Sequence, residues 1–439
     1  MHTTRELALK ALSEIWRNGR KPKEAIELIS IPLDDRERSF LMELVYGVLR
    51  YRDTLDWALK DFLKKPAALN NRTLNNLRLA AYQILFMRVP EWAAVNEAVE
   101  IEKKKGSPEL INAVLRNLLR RPPAERINLD DARKKGAAAY ISRLTSHPEW
   151  LVRRWIRRFG ETAAKDLAVS NNRIPPLTLR VNTLKSTRDR MITKLGDMGI
   201  HGEPTAFSPE GIRLGDFHLL KEFSGLRDSL IVQDEAAQLV AHLLGPQPGD
   251  RVLDACSAPG GKTTHIAQLM QDRGEVVAVD NNEERIKKLR ENVFNLNLKS
   301  IKIVCGDVAD IGKAGYNLFD SILLDAPCSS IGVIRRNPDI KYRHRSQDIH
   351  RFKLKQVGLL RSVSELLRPG GTLVYSVCST EPEEGEEVIK EFLKDSKDFY
   401  IIETVLPFLK VFMKNGFFRT YPHTNDLDGF FGVKLCKRV

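Results

Sequence analysis

Residues 254–263 read Asp-Ala-Cys-Ser-Ala-Pro-Gly-Gly-Lys-Thr, and they follow the short, largely apolar run Arg251–Ala255. The run predicts a buried β-strand, and the two adjacent glycines predict a tight turn that a ligand can approach closely. The stretch contains neither G-x-G-x-x-G nor G-x-x-x-x-G-K-[ST], so that ligand need not carry a pyrophosphate. Taken alone, the glycine pair is equally compatible with a plain turn.

Strands and helices alternate after this turn. Further strands are predicted at Glu275–Asp280, Ile301–Cys305, Phe319–Asp325 and 371–376. Helical patterns separate them, including Glu283–Leu296 and 347–367. This order predicts βαβ units and a doubly wound parallel sheet, which makes residues 226–439 an α/β, Rossmann-like domain.

Acidic residues follow three of the predicted strands. Asp280 and Asp325 end their strands, and Asp307 lies just past another. Ligands of open parallel sheets bind at the carboxyl ends of the strands, and an acidic residue about twenty positions after the glycine turn can bind ribose hydroxyls. Each aspartate also suits a helix cap. Three in series favour a nucleoside pocket over three caps.

Two cysteines follow neighbouring strands. Cys328 lies in Asp-Ala-Pro-Cys-Ser at 325–329, and Cys378 lies in Tyr-Ser-Val-Cys-Ser at 375–379. A free cysteine is most often a small buried apolar residue. Two at adjacent strand ends, one beside Asp325, instead predict a shared cleft with nucleophilic thiols. The residue types do not distinguish which thiol attacks.

This set of groups suits methylation of a pyrimidine at carbon 5. Carbon 5 of cytosine is too weakly nucleophilic to accept a methyl group directly, and addition of a thiolate at carbon 6 activates it. A carboxyl group near ring N3 assists that addition, and a second thiol assists the later loss of the carbon 5 proton.

The upstream sequence predicts two further domains. Residues 1–140 carry helical periodicity, beginning with a capping box at Thr3 and Glu6, and predict an all-α bundle. Residues 141–225 mix helical and strand patterns, with a strand at 177–182, and predict a small α+β domain.

Bulk properties narrow the class of protein. The net charge of +13 and the isoelectric point near 9.4 favour a nucleic-acid partner. No secretory signal or membrane-spanning run is found, and the five dispersed cysteines form no C-x-x-C pair. We therefore expect a cytoplasmic chain with free thiols and no metal. No coiled-coil pattern indicates an oligomer, so a monomer is expected.

Together, the motifs at 254–263, 325–329 and 375–379 resemble the RNA cytosine-5 methyltransferases of the Nol1/Nop2/Sun family. The resemblance is strengthened by matches at 233–234, 335–341 and 428–431, and upstream at 146–151 and 179–182. Residues 1–140 resemble the all-helical RNA-binding domain of NusB, notably at 95–99. The combination is typical of bacterial RsmB/Sun-type members, which use S-adenosylmethionine (SAM) to methylate small-subunit ribosomal RNA.

The resemblance assigns roles by position. Cys378 is expected to be the nucleophile, Cys328 to assist product release, and Asp325 to face the target base and the methyl donor. Asp280 is expected to bind the ribose of SAM and Asp307 its adenine edge. The remaining cofactor set is Cys256, Ser257, Ala258, Pro259, Gly260, Gly261, Lys262 and Arg285.

Departures and alternatives accompany this assignment. Val377 replaces the threonine common before the nucleophile, and Gly385 replaces an asparagine common after it. The basic stretch Arg335–Arg345 is expected to contact RNA phosphates or to form a solvated loop. Two other functions stay open at this point: the same chemistry on transfer RNA, and a non-catalytic RNA-binding assembly factor. The ribosomal RNA is expected free or in an early assembly state.

Overall fold

The computed structural model describes residues 3–29, 33–65, 69–104, 106–215, 225–311 and 318–439. They form two compact units. The first spans Met1–Arg173 together with Ile334–Arg343, and the second spans Ile174–Val333 together with His344–Val439. The three-domain division at residues 140 and 225 stays a prediction, although the helices that follow residue 140 group with those that precede it.

The first unit is helical in its described residues, as predicted for residues 1–140. Its helices are α1 (Thr4–Asn18), α2 (Pro22–Ile29), α3 (Asp35–Leu59), α4 (Asn71–Phe86), α5 (Glu91–Lys103), α6 (Pro108–Arg120), α7 (Asp130–Lys134), α8 (Ala137–Thr145), α9 (Glu149–Phe159) and α10 (Glu161–Ser170). The predicted capping box is confirmed, because the Thr3 hydroxyl accepts from the Glu6 N–H at 3.3 Å and the Glu6 carboxylate accepts from the Thr3 N–H at 3.0 Å. Leucine, isoleucine, valine and alanine side chains of α1 to α6 form its buried core.

The second unit begins with a small antiparallel sheet. Its elements are β1 (Leu177–Val181), α11 (Arg188–Asp197), β2 (Gly202–Pro204), β3 (Gly211–Leu214) and β4 (Leu230–Val232). The strand order is β2-β3-β1-β4, and each neighbouring pair is antiparallel. The predicted strand at 177–182 and the α+β character of this region are confirmed.

A larger sheet follows in the same unit. Its strands are β5 (Arg251–Ala255), β6 (Glu275–Asp280), β7 (Ile301–Cys305), β8 (Phe319–Asp325), β9 (Leu367–Val377), β10 (Phe399–Ile402), β11 (Met413–Lys414), β12 (Phe417–Thr420) and β13 (Phe430–Lys437). Along β9-β8-β5-β6-β7 every pair is parallel. These are the five strands that the sequence predicts, and four of them have the predicted bounds.

The sheet is mixed rather than wholly parallel. Strand β13 runs antiparallel to β9, and its other edge pairs with β12 and β10. The expectation of a purely parallel sheet is therefore wrong at this end. Strands β11 and β12 are joined by a two-residue turn, which permits only antiparallel pairing, whereas β9 and β13 are far apart in the sequence.

Helices complete the α/β unit. They are α12 (Glu235–Leu244), α13 (Gly261–Leu269), α14 (Glu283–Leu296), α15 (Ser346–Ser364), α16 (Glu386–Asp395), α17 (Pro407–Lys410) and α18 (Pro422–Asn425). The central strands β5, β6 and β8 are apolar and buried, as expected for a sheet that helices cover on both faces. Within the described part of the chain, no helix combines the length and apolarity that crossing a membrane requires.

Candidate active site

The carboxyl ends of the parallel strands carry the predicted site residues. Asp280 and Asp325 are the last residues of β6 and β8, and Cys378 directly follows β9. Cys328 lies three residues past β8, and Asp307 lies two past β7. Because these strands are parallel neighbours, their polar ends lie along one edge of the sheet, where ligands bind in open α/β folds.

The glycine loop between β5 and α13 is tightly constrained. Gly260 has φ +97°, and a Cβ at this position would lie 2.3 Å from Leu289 Cδ1. Cys256 has φ +63°, which is uncommon for a residue with a side chain. The loop therefore needs glycine for its backbone conformation and for close packing on α14, and helix α13 begins directly after it at Gly261.

Asp280 fastens this loop to β6. Its Oδ2 accepts from the Ala258 N–H at 3.1 Å and lies 3.4 Å from Arg285 Nη1. Arg285 also donates to the Ala258 carbonyl, so it supports the loop as well as facing Asp280. Asp280 Oδ1 accepts from the Asn282 N–H at 3.0 Å. The helix cap of α14 is Asn282, so the capping interpretation does not hold for Asp280.

Asp307 does act as a cap. Its carboxylate accepts from the Ala309 N–H at 2.9 Å at the start of a short 3-10 turn. The residue is exposed, so its carboxylate also remains accessible to a ligand. The capping and pocket interpretations are therefore compatible for this aspartate.

Asp325 is held by two donors. The Lys262 ammonium donates to Oδ2 at 2.6 Å, and the Ser376 hydroxyl donates to Oδ1 at 2.8 Å. Burial alone would lower the pKa of Lys262, but the adjacent carboxylate raises it above its ordinary value. Lys262 is thus a fixed cation that orients Asp325, a contact that the sequence assignment of Lys262 to the cofactor loop does not include.

Cys328 and Cys378 lie side by side. Their Sγ atoms are 3.1 Å apart, and the Ser330 hydroxyl lies 3.5 Å from Cys378 Sγ. The hydrogen bond between the two sulfurs raises the pKa of Cys328 and lowers that of Cys378. The contact therefore favours ionisation of Cys378 over ionisation of Cys328, a distinction that residue types alone do not make.

Glu384 connects the two cysteine loops, and the sequence analysis missed this role. Its carboxylate accepts from the Ser329 N–H at 2.8 Å, from the Ser329 hydroxyl at 2.5 Å and from the Ser379 hydroxyl at 2.6 Å. These serines directly follow Cys328 and Cys378. Gln356 donates to the same carboxylate at 3.2 Å. The Cys-Ser dipeptide shared by both motifs is the sequence signal that points to a common anchor.

A close backbone contact accounts for the glycine at 332. The Gly332 N–H donates to the Cys378 carbonyl at 3.0 Å, and the Gly429 N–H donates to the Gly332 carbonyl at 2.8 Å. A Cβ on Gly332 would lie 1.9 Å from the Gly429 carbonyl oxygen. Only glycine fits at this crossing, which fixes the turn after Cys328 against the loop that carries Cys378.

The basic stretch after Cys328 does not form a uniformly exposed surface, so that expectation is wrong for two of its residues. Arg335 and Lys341 are each 2% exposed. The Lys341 ammonium donates to the Arg50 and Thr145 carbonyls at 2.9 Å each and to Asn172 Oδ1 at 2.5 Å. These partners lie in the helical unit, to which Ile334–Arg343 belongs. An ammonium with three acceptors is an internal anchor, not a phosphate contact.

Among the described residues, one group could hold a metal ion: Glu210, His242 and His265, whose ligating atoms lie within 4.8 Å of one another. The Glu210 carboxylate is 2.9 Å from His242 Nε2. Burial, and after it the charge of the Arg180 guanidinium, lower the pKa of His265 to about 3. The buried Arg180 guanidinium disfavours a second positive charge nearby. The group therefore fits a structural Glu–His pair better than a metal centre.

Family models match all three regions of the chain. A model described as 16S rRNA methyltransferase RsmB/F matches residues 241–436. A NusB family model matches residues 2–120, and a model of the ferredoxin-like domain of RsmF/B-like methyltransferases matches residues 147–218. The matches follow the order that the sequence predicts.

Relatives are similar over nearly the whole length. The probable ribosomal RNA small subunit methyltransferase B of Bacillus subtilis (strain 168) is 35% identical over 450 residues, covering 99% of each chain. The ribosomal RNA small subunit methyltransferase B of Escherichia coli (strain SMS-3-5 / SECEC) is 35% identical over 442 residues, covering 99% of this chain and 98% of the relative. The crystal structure of PH0851 superposes with a TM-score of 0.80 at 27% identity, covering 98% of both chains.

Proposed function

Because the chain belongs to the RsmB/F family of small-subunit ribosomal RNA methyltransferases, we propose that it methylates carbon 5 of a cytosine in that RNA through a covalent bond to Cys378. The family membership makes it a SAM-dependent RNA methyltransferase. The observation that carries the finer assignment is the pair of sulfurs 3.1 Å apart, beside Asp325 at the carboxyl edge of the sheet.

The residues at this edge fit SAM, which supplies an electrophilic methyl group when bound. The α13 N-terminus bears partial positive charge that suits the carboxylate of the methionine portion. The loop from Cys256 to Lys262 is held against α14 at Gly260, where a Cβ would meet Leu289, and it leads directly into this helix N-terminus. We assign the ribose to Asp280 and the adenine edge to the exposed Asp307.

The first chemical step is addition to the base. The Cys378 thiolate attacks carbon 6 of cytosine, and a proton is delivered to ring N3 from the Asp325 and Lys262 pair. The lowered pKa of Cys378 favours the thiolate form that this step requires. Carbon 5 then has enamine character and accepts the methyl group. To reach the cleft, the target base must leave any stack.

The second step releases the product. Cys328, after releasing its own proton to solvent, removes the proton from carbon 5; the bond between carbon 6 and Cys378 Sγ breaks, its electron pair returns to the Cys378 sulfur, and the N3 proton returns to the protein. The hydrogen bond to the charged Cys378 sulfur is the largest cause of the raised pKa of Cys328. Once Cys378 is bonded to carbon 6 that charge is gone, so Cys328 loses its proton more readily when it has to act as the base.

We favour small-subunit ribosomal RNA over transfer RNA as the substrate. Its support is the full-length similarity to relatives named for that activity and the NusB-like region at residues 2–120. A monomer that acts on free or early-assembly ribosomal RNA remains our prediction.

The test is methylation in vitro followed by nucleoside analysis. Purified protein is incubated with SAM and with deproteinised small-subunit ribosomal RNA or transfer RNA, and methylated nucleosides are identified by mass spectrometry. We expect 5-methylcytidine in the ribosomal RNA and none above background with Cys378→Ala.

Two results would contradict the proposal. Methylation at a ring nitrogen or a ribose would exclude the cytosine-5 chemistry, and full activity of Cys378→Ala would exclude its covalent route. Bisulfite mapping of RNA from cells with and without the gene then identifies the nucleotide. Methylation confined to transfer RNA would transfer the assignment to that substrate.

A further inference from the structure

The distance between Cys328 and Cys378 permits chemistry other than methyl transfer. Their Sγ atoms are 3.1 Å apart, and a disulfide bond is about 2.05 Å long, so a sulfur shift of roughly 1 Å would join them. Both thiols are free and half-buried rather than sealed in the core.

The surrounding contacts hold the two sulfurs in this arrangement. Glu384 accepts from Ser329 and Ser379, the residues that directly follow the two cysteines. The Gly332 N–H donates to the Cys378 carbonyl, which ties the two loops together a second time. The two loops that carry the cysteines are therefore held together by contacts other than the one between the two sulfurs.

We propose that Cys328 and Cys378 are a reversible oxidation site for peroxides, in which a disulfide between them switches the enzyme off. The formation of the disulfide depends only on the geometry of the pair. Its effect on activity rests on the proposed function, because both sulfurs would be withdrawn from methyl transfer.

The reaction balances with one peroxide molecule. The Cys378 thiolate attacks a peroxide oxygen, the O–O bond breaks, and the second oxygen leaves as water or an alcohol after taking a proton. The Cys378 sulfur is thereby oxidised by two electrons to a sulfenic acid. The Cys328 sulfur then attacks it, the S–O bond breaks, the disulfide forms and water is lost. A dithiol reverses the oxidation by exchange.

The electrostatics of the cysteines select this pair. Cys378 has the thiolate character on which oxidation depends, since its pKa is lowered. Burial raises the pKa of Cys256 to about 12, and a hydrogen bond to the Glu283 carboxylate raises that of Cys305. The resolving thiol of Cys328 lies in contact with the oxidised sulfur, which protects Cys378 from irreversible over-oxidation.

The experiment maps disulfides in the full-length protein. Wild type, Cys328→Ser and Cys436→Ser are treated with hydrogen peroxide, alkylated, digested without reductant and analysed by mass spectrometry. We expect a linked peptide pair containing residues 328 and 378 in wild type and in Cys436→Ser. In Cys328→Ser, residue 378 should instead be trapped by a sulfenic-acid reagent or found as the sulfinic acid.

Activity is measured on portions of the peroxide-treated proteins taken before alkylation and digestion. Methyl transfer should fall in proportion to the linked fraction and return after dithiothreitol. Absence of the linked peptide in wild type, or equal over-oxidation of residue 378 in wild type and Cys328→Ser, would overturn the proposal. The linked peptide and the oxidation state of residue 378 are read by mass spectrometry and do not depend on methyl transfer. The disulfide can therefore be disproved while the methyltransferase function stands. A linked pair in a chain that lacks methyltransferase activity would refute only the function.

Discussion

Glu384 accepts two hydrogen bonds from Ser329, one from the backbone N–H at 2.8 Å and one from the hydroxyl at 2.5 Å. The same carboxylate accepts from the Ser379 hydroxyl, and it is fully buried. One side chain thus sets the relative position of the loops that carry Cys328 and Cys378. The spacing of the two thiols depends on a residue that touches neither sulfur.

Replacing Glu384 should therefore damage both stability and chemistry. Glu384→Ala leaves buried donors unpaired and should cost on the order of 2–4 kcal/mol of unfolding free energy. Glu384→Gln keeps the shape and should cost less. Urea unfolding measures the stability, with exposed Glu365→Ala as the control. We expect kcat to fall in both Glu384 variants while SAM affinity changes little, and an unchanged kcat would show that Glu384 does not position the cysteines.

The glycine loop offers a second test. Gly260→Ala forces a side chain into φ +97° and towards Leu289, which should cost about 2–5 kcal/mol and weaken SAM binding. Gly358→Ala is the matched control, because Gly358 lies inside α15 with open space around it. That change should be neutral or stabilising by up to about 1 kcal/mol. Calorimetry and urea unfolding check both, and equal behaviour of the two variants would contradict the account of the loop.

Lys341 distinguishes an internal anchor from an RNA contact. Lys341→Met removes three hydrogen bonds to buried acceptors and should lower stability by on the order of 2–4 kcal/mol. The exposed Lys355→Met is the control and should leave stability unchanged. If Lys341 contacted a phosphate, Lys341→Met would instead weaken RNA binding. The slope of log affinity against log salt concentration would then fall by about one. That pattern, with stability intact, would restore the surface interpretation of Lys341.

Asp254 should make stability depend on pH. Its carboxyl group is fully buried, and burial, with the Asp325 and Asp280 charges, raises its pKa to about 7. Because the folded state holds this proton more tightly than the unfolded state, stability from this group falls as pH rises from about 4 to 7. At about 1.4 kcal/mol per pKa unit, the unfolding free energy lost over this pH range is on the order of 4 kcal/mol.

Asp254→Asn removes this dependence. Unfolding free energies of the two proteins, measured from pH 5 to pH 8, should diverge with rising pH, in favour of the variant. The Thr263 hydroxyl, which donates to Asp254 Oδ2 at 2.6 Å, can donate equally to an amide oxygen, so the fold should be retained. A difference that is constant with pH would show that Asp254 does not titrate in this range.

The parallel strands were predictable because their signal is local. Arg251–Ala255 and Glu275–Asp280 are short runs flanked by turn residues, and their bounds agree with the prediction. The antiparallel strands β10 to β12 are short, and the pairing of β10 and β12 with β13 depends on residues outside any local window. Local patterning therefore predicts the parallel core of the sheet and not its edge.

Long-range partners explain what sequence reasoning missed at the site. Glu384 binds Ser329, 55 positions away, and Lys341 binds Arg50, 291 positions away. A buried lysine and an exposed lysine look alike in sequence until the acceptors are known. The cysteines were predictable because each directly follows or closely follows a strand, and strand order alone brings their ends together.

The central claim is that Cys378 bonds to the target base and Cys328 releases it. The most direct measurement is a denaturing gel of Cys328→Ala incubated with SAM and small-subunit ribosomal RNA. The account predicts a slow-migrating protein–RNA adduct that disappears in the Cys328→Ala, Cys378→Ala double variant. An adduct that persists in the double variant, or normal turnover by Cys328→Ala without an adduct, would contradict it.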